Sequence, residues 1–451
     1  MILEKMRETT KEQTQKMLFY GLAVLLVFLP LPQFFMPADN RAIAMQATIL
    51  MVFLFYFGFV FVIEIINHRI EIKKSGMAMK CVLCLFLVGV LSVLISKEKE
   101  VALYGMEGRE EGLFSLMAYY AVFLATVLLK KKQYRKKLLY LFLVFGTVIS
   151  VIGILQFTDV LPGLSPYPGY ATVPMRNPNF FGAFSVLFTG VAVGGFFMYS
   201  TESGVTHPLP FWNRIVWYLL VLFGCSACIC ASSSLVYAGL IMILLLYLFL
   251  EWRTGRNKFV PFVWLVVGFI GLIILFNSLK CGAVMSEIMS VAEQVKAEGS
   301  LFGDGVGSSR MWIWKSTIAL LPEYGLLGCG IEQLGLLCLS KYGVINGIYF
   351  DKAHNEYLNL WITEGIFAIG IYLAFLFSLF FSGLHLFMEK GKRISVKEQL
   401  EEEEDEIRNI VFFGFFGYIA QAFFNISVVQ VAPYFWVICG LLYSRKRGEI
   451  E

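Results

Sequence analysis

The sequence predicts an all-α polytopic membrane protein, with about twelve transmembrane helices and one large external loop that carries short helices. Three observations lead there. Of 451 residues, 58% are apolar and only 16% charged, and the mean hydropathy is +0.71; a soluble chain of this length would fold as two or three domains with strongly charged surfaces. The apolar residues come in runs of roughly 18 to 25, the length that crosses ~30 Å of hydrocarbon at ~1.5 Å per residue. Those runs lack the short alternating pattern of barrel strands, so helices remain.

In chain order the runs lie near 17–36, 42–66, 77–96, 113–129, 138–157, 180–200, 215–231, 234–251, 259–279, 357–387, 409–426 and 429–444. The basic start (Lys5, Arg7, Lys11, Lys16) and "AIA" at 42–44 resemble a signal sequence. The first run is too long for one and many spans follow, so it reads as an uncleaved first helix. Nine cysteines are present. Cys81-x-x-Cys84 and Cys225-x-x-Cys228-x-Cys230 would suggest metal or redox chemistry in a soluble protein, but inside apolar helices they read as small packing residues.

The connections alternate in charge. "HRIEIKKSG", "KKKQYRKK", "EWRTGRNK" and the tail "RKRG" fall on the side of the N-terminus, whereas the segments 97–112 and 158–179 carry no basic excess. The positive-inside rule therefore expects both termini in the cytoplasm. Residues 1–279 form a first block of nine helices, 280–356 a large extracytoplasmic loop, and 357–451 a second block of three. The last block includes a cytoplasmic loop at 388–408, whose "EEEEDE" reads as a solvated or regulatory face. A net charge of +4 is too small to imply nucleic acid.

The long loop is the informative connection, since long loops with structure of their own are usually functional. Val284, Ile288, Val291 and Val295 keep helical spacing and predict an amphipathic helix lying on the membrane. Gly-rich "GSLFGDGVGSS" follows, then a helix from near Ser309 stopped by Pro322, with Trp312 and Trp314 suited to the headgroup layer. "GCG" at 328–330 turns the chain into a third helical piece.

Sidedness sorts the four histidines. His68 and His385 lie near cytoplasmic span ends and His207 in a cytoplasmic loop; His354 faces outward, at the mouth of a span. A lone histidine at an interface is ordinarily a hydrogen-bonded surface residue, but the outer arginines alter that reading. Arg41 stands in a short loop and needs no explanation. Arg109 and Arg176 directly precede spans, and Arg310 opens the second loop helix with Lys315 about one and a half turns on. Positive charge on the outer side is what membrane insertion discourages. Together with His354 these groups suit a phosphate, whose oxygens a guanidinium fork matches in two-pronged fashion. The plain alternative for each arginine is snorkelling or a local ion pair, with Glu107, Glu110 or Glu111 for Arg109. Glu364 falls about two turns into its span, where a carboxylate marks a functional site by default. Ten residues is about 280° around a helix, so spacing does not put it on His354's face, and an ion-pairing role is expected.

These segments resemble the O-antigen ligase and polymerase family over roughly residues 100–445. "AHNEYLNLWITEGIFAIGIY" is similar to its His-Asn…Glu-Gly…Gly signature, and "SSRMWIWKSTIALLPEYGLLGCG" to its Arg-x-x-x-Trp…Pro-x-x-Gly-x-Gly segment. "RNPNFFGAF" and "GREEGLF" resemble its Asn-Pro-Asn and Arg-x-x-Gly span starts. The resemblance implies a membrane glycosyltransferase of the C-type superfold, without metal, nucleotide-sugar or other cofactor. Such an enzyme would move a glycan from an undecaprenyl-diphosphate carrier, on the outer face of the cytoplasmic membrane, to a glycan, lipid or protein acceptor. His354 and Arg310 would then be catalytic, with Arg176, Arg109, Lys315, Asn355 and Glu364 around the substrate. One departure stands out: where the family commonly has Ser-Arg-Gly, this chain reads "ASSSLVYAG", without an arginine at Ser233 or Ser234. Arg176, or else Arg109, would supply the second diphosphate contact. Ligases and polymerases share these motifs. The alternative is a multi-span transporter or glycolipid flippase, which would show mid-membrane charge and paired broken helices in two related halves; the spans are nearly charge-free except for Glu364 and Glu64, the latter close to a cytoplasmic end, and the sequence shows no repeat between halves.

Overall fold

The computed structural model describes residues 2–67, 76–167, 169–200, 211–255, 259–343, 350–388 and 396–443. His68, His207, most of the basic segment after residue 67, residues 256–258, 389–395 and the basic tail lie outside the described residues. Among the described residues the secondary structure is helical, without strands. Ten helices are long and apolar enough to cross a membrane. The two other expected spans, Leu113–Leu128 and Ala432–Leu442, are shorter apolar helices.

The first half contains α1 (Ile2–Phe28), α2 (Leu31–Phe35), α3 (Asn40–Ile66), α4 (Met77–Ile95), α5 (Lys99–Tyr104), α6 (Leu113–Leu128), α7 (Lys132–Phe157), α8 (Pro178–Tyr199) and α9 (Phe211–Cys230). The second contains α10 (Val236–Thr254), α11 (Phe259–Leu279), α12 (Ala283–Glu298), α13 (Arg310–Ile318), α14 (Leu321–Tyr324), α15 (Leu334–Tyr342), α16 (Glu356–Met388), α17 (Val396–Gln421) and α18 (Ala432–Leu442).

At the centre sits α8, whose span is buried along its whole length against α9 and α17. Lipid offers no hydrophobic force between helices, so close approach of small residues supports the packing. Gly190 and Gly194 provide it: a Cβ on the first would lie 2.6 Å from Gly414 Cα, and on the second 2.1 Å from the Ile410 carbonyl oxygen. The cysteines of α4 and α9 are free, and Cys81, Cys225, Cys228 and Cys230 are buried as packing residues.

The connections collect at two ends of the bundle. At one end Gln15 Oε1 accepts from Lys130 N (2.6 Å), and Gly76 N donates to the Tyr443 hydroxyl (2.9 Å). There Arg135 donates to the Leu441 carbonyl (2.8 Å) and Arg408 to that of Leu442 (3.1 Å). Two buried guanidinium groups thus satisfy the last carbonyls of α18, which have no helical partner. At the opposite end Ser233 Oγ donates to Asn179 Oδ1 (2.7 Å), Ser234 N to Glu287 (3.0 Å), and Arg109 pairs with Asp351.

The long loop folds onto that second end. Its amphipathic helix is α12, and α13 begins at Arg310, next to Ser309, whose side chain makes no capping bond. Pro322 does not merely stop α13; it sits in the first turn of α14, where proline's missing N–H costs nothing. Ile313, Leu320, Leu334, Cys338 and Phe350 make a small core that reaches Ile362 of α16. Trp312 packs edge-to-face on Phe350 (5.2 Å between ring centres) and Trp314 against Phe424 (6.0 Å).

One span is broken. Gly365, at φ +87°, interrupts α16 just after Glu364. The turn at 325–330 fills the gap: Cys329 N donates to the Ile362 carbonyl, Gly330 N to that of Thr363, and Ile366 N to that of Gly325, each at 2.9 Å. Irregular backbone at membrane depth is tolerated only where such partners exist.

Candidate functional site

α16 begins with a cap. Asn355 Oδ1 accepts from Leu358 N (2.9 Å), and Asn359 Oδ1 accepts from Ala353 N (3.1 Å). These bonds hold Asp351–Asn355 tightly over the helix mouth, with His354 in a left-handed conformation at φ +48°. Asn355 is therefore a buried helix cap, which orients its neighbour.

The arginine pattern is reordered by the fold. Arg109 makes a two-pronged bond to Asp351, Nε to Oδ2 at 2.6 Å and Nη2 to Oδ1 at 3.1 Å, and lies 6.0 Å from the Phe180 ring centre. The local carboxylates are engaged elsewhere: Glu110 accepts from Gly108 N (3.3 Å), and Glu111 accepts from the Tyr119 hydroxyl (3.2 Å) and from Lys352 Nζ (3.2 Å). Lys352 is also bonded to Glu332. Burial would lower the Lys352 ammonium, but Glu332 and Glu111 outweigh it and hold the pKa up. Glu111 is pushed up to about 7 by burial, against the pull of Lys352.

Arg310 differs. It is 8% exposed, and its Nη1 donates to the Gly307 carbonyl (2.8 Å), while Nε is buried without a partner. Among the described residues no carboxylate pairs with it, and burial lowers its pKa to about 10. It stays cationic at neutral pH. A buried cation without a counter-charge is costly, and an arriving anion removes that cost. The charges of Arg310 and Arg109 both reach His354. Burial first, then Arg310 and Arg109, bring the imidazole down to about 4, with Asp351 opposing and Lys352 adding to the fall. His354 is thus neutral at physiological pH, with a free lone pair.

The other expected residues fall into place unequally. Arg176, at φ +65°, sits in the turn before α8, and its charge acts on Asp39 beside α3. Lys315 pairs with Asp304 (2.6 Å) on the exposed side of the loop, away from the cluster. Glu364 is buried and borders a cavity shared with Lys352; the cation across from it is this lysine. Asp351, Lys352 and Glu332 were missed by sequence reasoning, and Glu111 was weighed only as a local partner for Arg109. Two charges of opposite sign directly ahead of His354 were the available signal for the first two. Four non-glycine residues in or beside the cluster (Glu110, Arg176, Glu332, His354) have positive φ, a strain of about 1–3 kcal/mol each that persists where surroundings over-determine the backbone.

Fold and site together define a polytopic helical membrane protein whose long loop gathers a buried, uncompensated arginine and a neutral histidine above a broken span. Residues 219–373, a stretch that contains Arg310 and His354, match the family described as O-antigen ligase. A glycosyltransferase-like enzyme is implied in general terms. No curated protein matches the chain.

Proposed function

We propose that the protein transfers or polymerises glycan from an undecaprenyl-diphosphate-linked donor onto an acceptor hydroxyl, at the outer face of the cytoplasmic membrane, as a ligase or polymerase of the O-antigen type. Twelve crossings, both termini in the cytoplasm and a C-type glycosyltransferase fold belong to this reading. The observation that carries it is Arg310: a buried guanidinium with no counter-ion among the described residues, electrostatically coupled to an unprotonated His354.

The donor's diphosphate neutralises Arg310, with Arg109 and Arg176 flanking. The acceptor oxygen attacks the anomeric carbon, its proton passes to a His354 ring nitrogen, and the bond to the diphosphate oxygen breaks with its electron pair on the leaving group. A single displacement inverts the anomeric centre. Arginines stabilise the departing charge without a metal, one preorganised donor being worth about 3 kcal/mol in a water-poor site. The same charges that depress His354 are cancelled by the bound diphosphate, so the imidazole becomes a stronger base when the donor is in place.

The test is product formation from the lipid-linked glycan pool of a producing cell. His354→Asn tolerates the left-handed backbone and removes the base, so long glycan should fall by about 10²–10⁴ while lipid-linked donor accumulates. Undiminished product from a folded variant would overturn the reading.

A further inference from the structure

The turn that holds the Arg310 guanidinium is left-handed at three residues in succession. Gly307, Ser308 and Ser309 have φ of +67°, +56° and +65°. L-residues visit that region singly, and glycine alone does so freely, so two serines in a row need outside support. Part of it is internal to the loop: Ser309 N donates to the Gly305 carbonyl (3.2 Å) and Met311 N to that of Val306 (3.3 Å). The rest comes from α12. Gln294 Oε1 accepts from Gly307 N (2.8 Å) and from Ser308 N (3.3 Å). A side-chain amide oxygen has two lone pairs, and here two successive N–H groups of the strained turn converge on one such oxygen.

What the turn presents is the Gly307 carbonyl. It accepts from Arg310 N (3.3 Å) and from Arg310 Nη1 (2.8 Å), the one hydrogen bond that the guanidinium makes among the described residues. With no carboxylate there to hold it, the charge stands where this carbonyl puts it. The helix α12 is itself anchored. Glu287, two turns before Gln294 and on the same face, accepts through Oε1 from Ser234 N in the connection between α9 and α10 (3.0 Å). One face of α12 therefore ties that connection to the arginine turn, while Met285 and Met289 stay exposed on another.

We propose that Gln294 is the positioning residue of Arg310: through the left-handed turn it fixes where the guanidinium stands relative to His354. The inference rests on the transferase reading for its consequence, since a reacting group displaced by about 1 Å can cost about 10²-fold in rate. Its geometry is independent of that reading and is measurable without turnover. The Arg310 charge is the larger of the two guanidinium influences on the His354 imidazole, so the imidazole reports the place of the guanidinium.

The test is made on the purified full-length chain in micelles, with the His354 ring signals assigned by their loss in His354→Asn. Gln294→Met keeps the length of the side chain and removes the accepting oxygen. Its His354 titration should move upward, by no more than in Arg310→Gln, and kcat/KM for glycan transfer should fall about 10²-fold. Gln294→Glu, which retains an accepting oxygen, should return most of the rate. Adding Ser308→Gly to Gln294→Met should restore both readouts in part, because glycine adopts the left-handed turn without help. Should Gln294→Met fail to fold, Gln294→Asn, one methylene short of the turn, carries the same predictions. A titration that stays in place in a folded variant refutes the positioning role, whatever happens to transfer. A rate loss that Ser308→Gly cannot relieve refutes the part given to the turn. The two readings fail apart: an upward titration with undiminished transfer, in both Gln294→Met and Arg310→Gln, leaves the positioning intact and removes the reaction assigned to Arg310.

Discussion

His354 and Arg310 illustrate how little a residue's type says before its surroundings are known. A histidine at a span mouth would ordinarily titrate near 6.5. Here burial and two guanidinium groups bring it to about 4. The sign of the resulting pH dependence follows: the base-competent neutral form is lost only as pH falls through about 4, so the acid limb of kcat/KM should lie near there instead of near 6.5, with no change across neutrality from this group. Arg310→Gln removes the larger of the two guanidinium contributions, and the His354 titration, followed by imidazole NMR independently of turnover, should move upward. A titration that stays in place would separate the two groups. At this scale the sequence was a partial guide. It singled out His354, Arg310, Arg109 and Glu364 as residues out of keeping with their position. It could not pair them, because Arg109 and Asp351 are 242 positions apart and Lys352 and Glu111 are 241 apart. Local spacing favoured Glu107, Glu110 or Glu111 for Arg109; tertiary packing turned Glu111 toward Tyr119 and Lys352 instead.

The broken span is the element that places the site. Gly365 has φ +87°, and Gly328, also at φ +87°, lies where a Cβ would be 2.2 Å from the Thr363 carbonyl oxygen. That contact is with backbone, so nothing can swing aside. Gly328→Ala should destabilise the fold by at least about 1–3 kcal/mol, read as a lowered Tm of the purified chain, and should reduce transfer because Glu364 and the start of α16 lose their seat. An unchanged Tm would mean that the turn does not brace the span. The periodicity of α12 and the start of α13 near Ser309 were readable from side-chain pattern alone. The break in α16 was not, because a glycine in a long apolar run has the same sequence signature whether the helix continues or stops. Its conformation depends on whether another backbone arrives to take the freed hydrogen bonds, and the arriving turn is more than thirty residues earlier in the chain.

For the whole molecule, the consequence of the alternating charge pattern is a sidedness that can be measured. Cys281 is a free, exposed thiol between α11 and α12, at the end of the bundle where Lys280 meets Asp159. A membrane-impermeant maleimide added to intact cells should label Cys281, whereas Cys84, exposed on a span, should stay unlabelled in lipid. Labelling of Cys281 only after permeabilisation would invert the topology and move the candidate site to the cytoplasm. Composition and run length by themselves determined that the chain is a bundle of membrane helices with one structured loop, because the bilayer imposes a length and an apolar content on every span, and both are local properties. The tertiary structure decided which of the outer charges are matched, which arginine is left without a counter-ion among the described residues, and that four acids and a lysine border one cavity. Those are properties of distances between segments far apart in the chain, and electrostatic energy depends on such distances and on burial, neither of which a linear order contains.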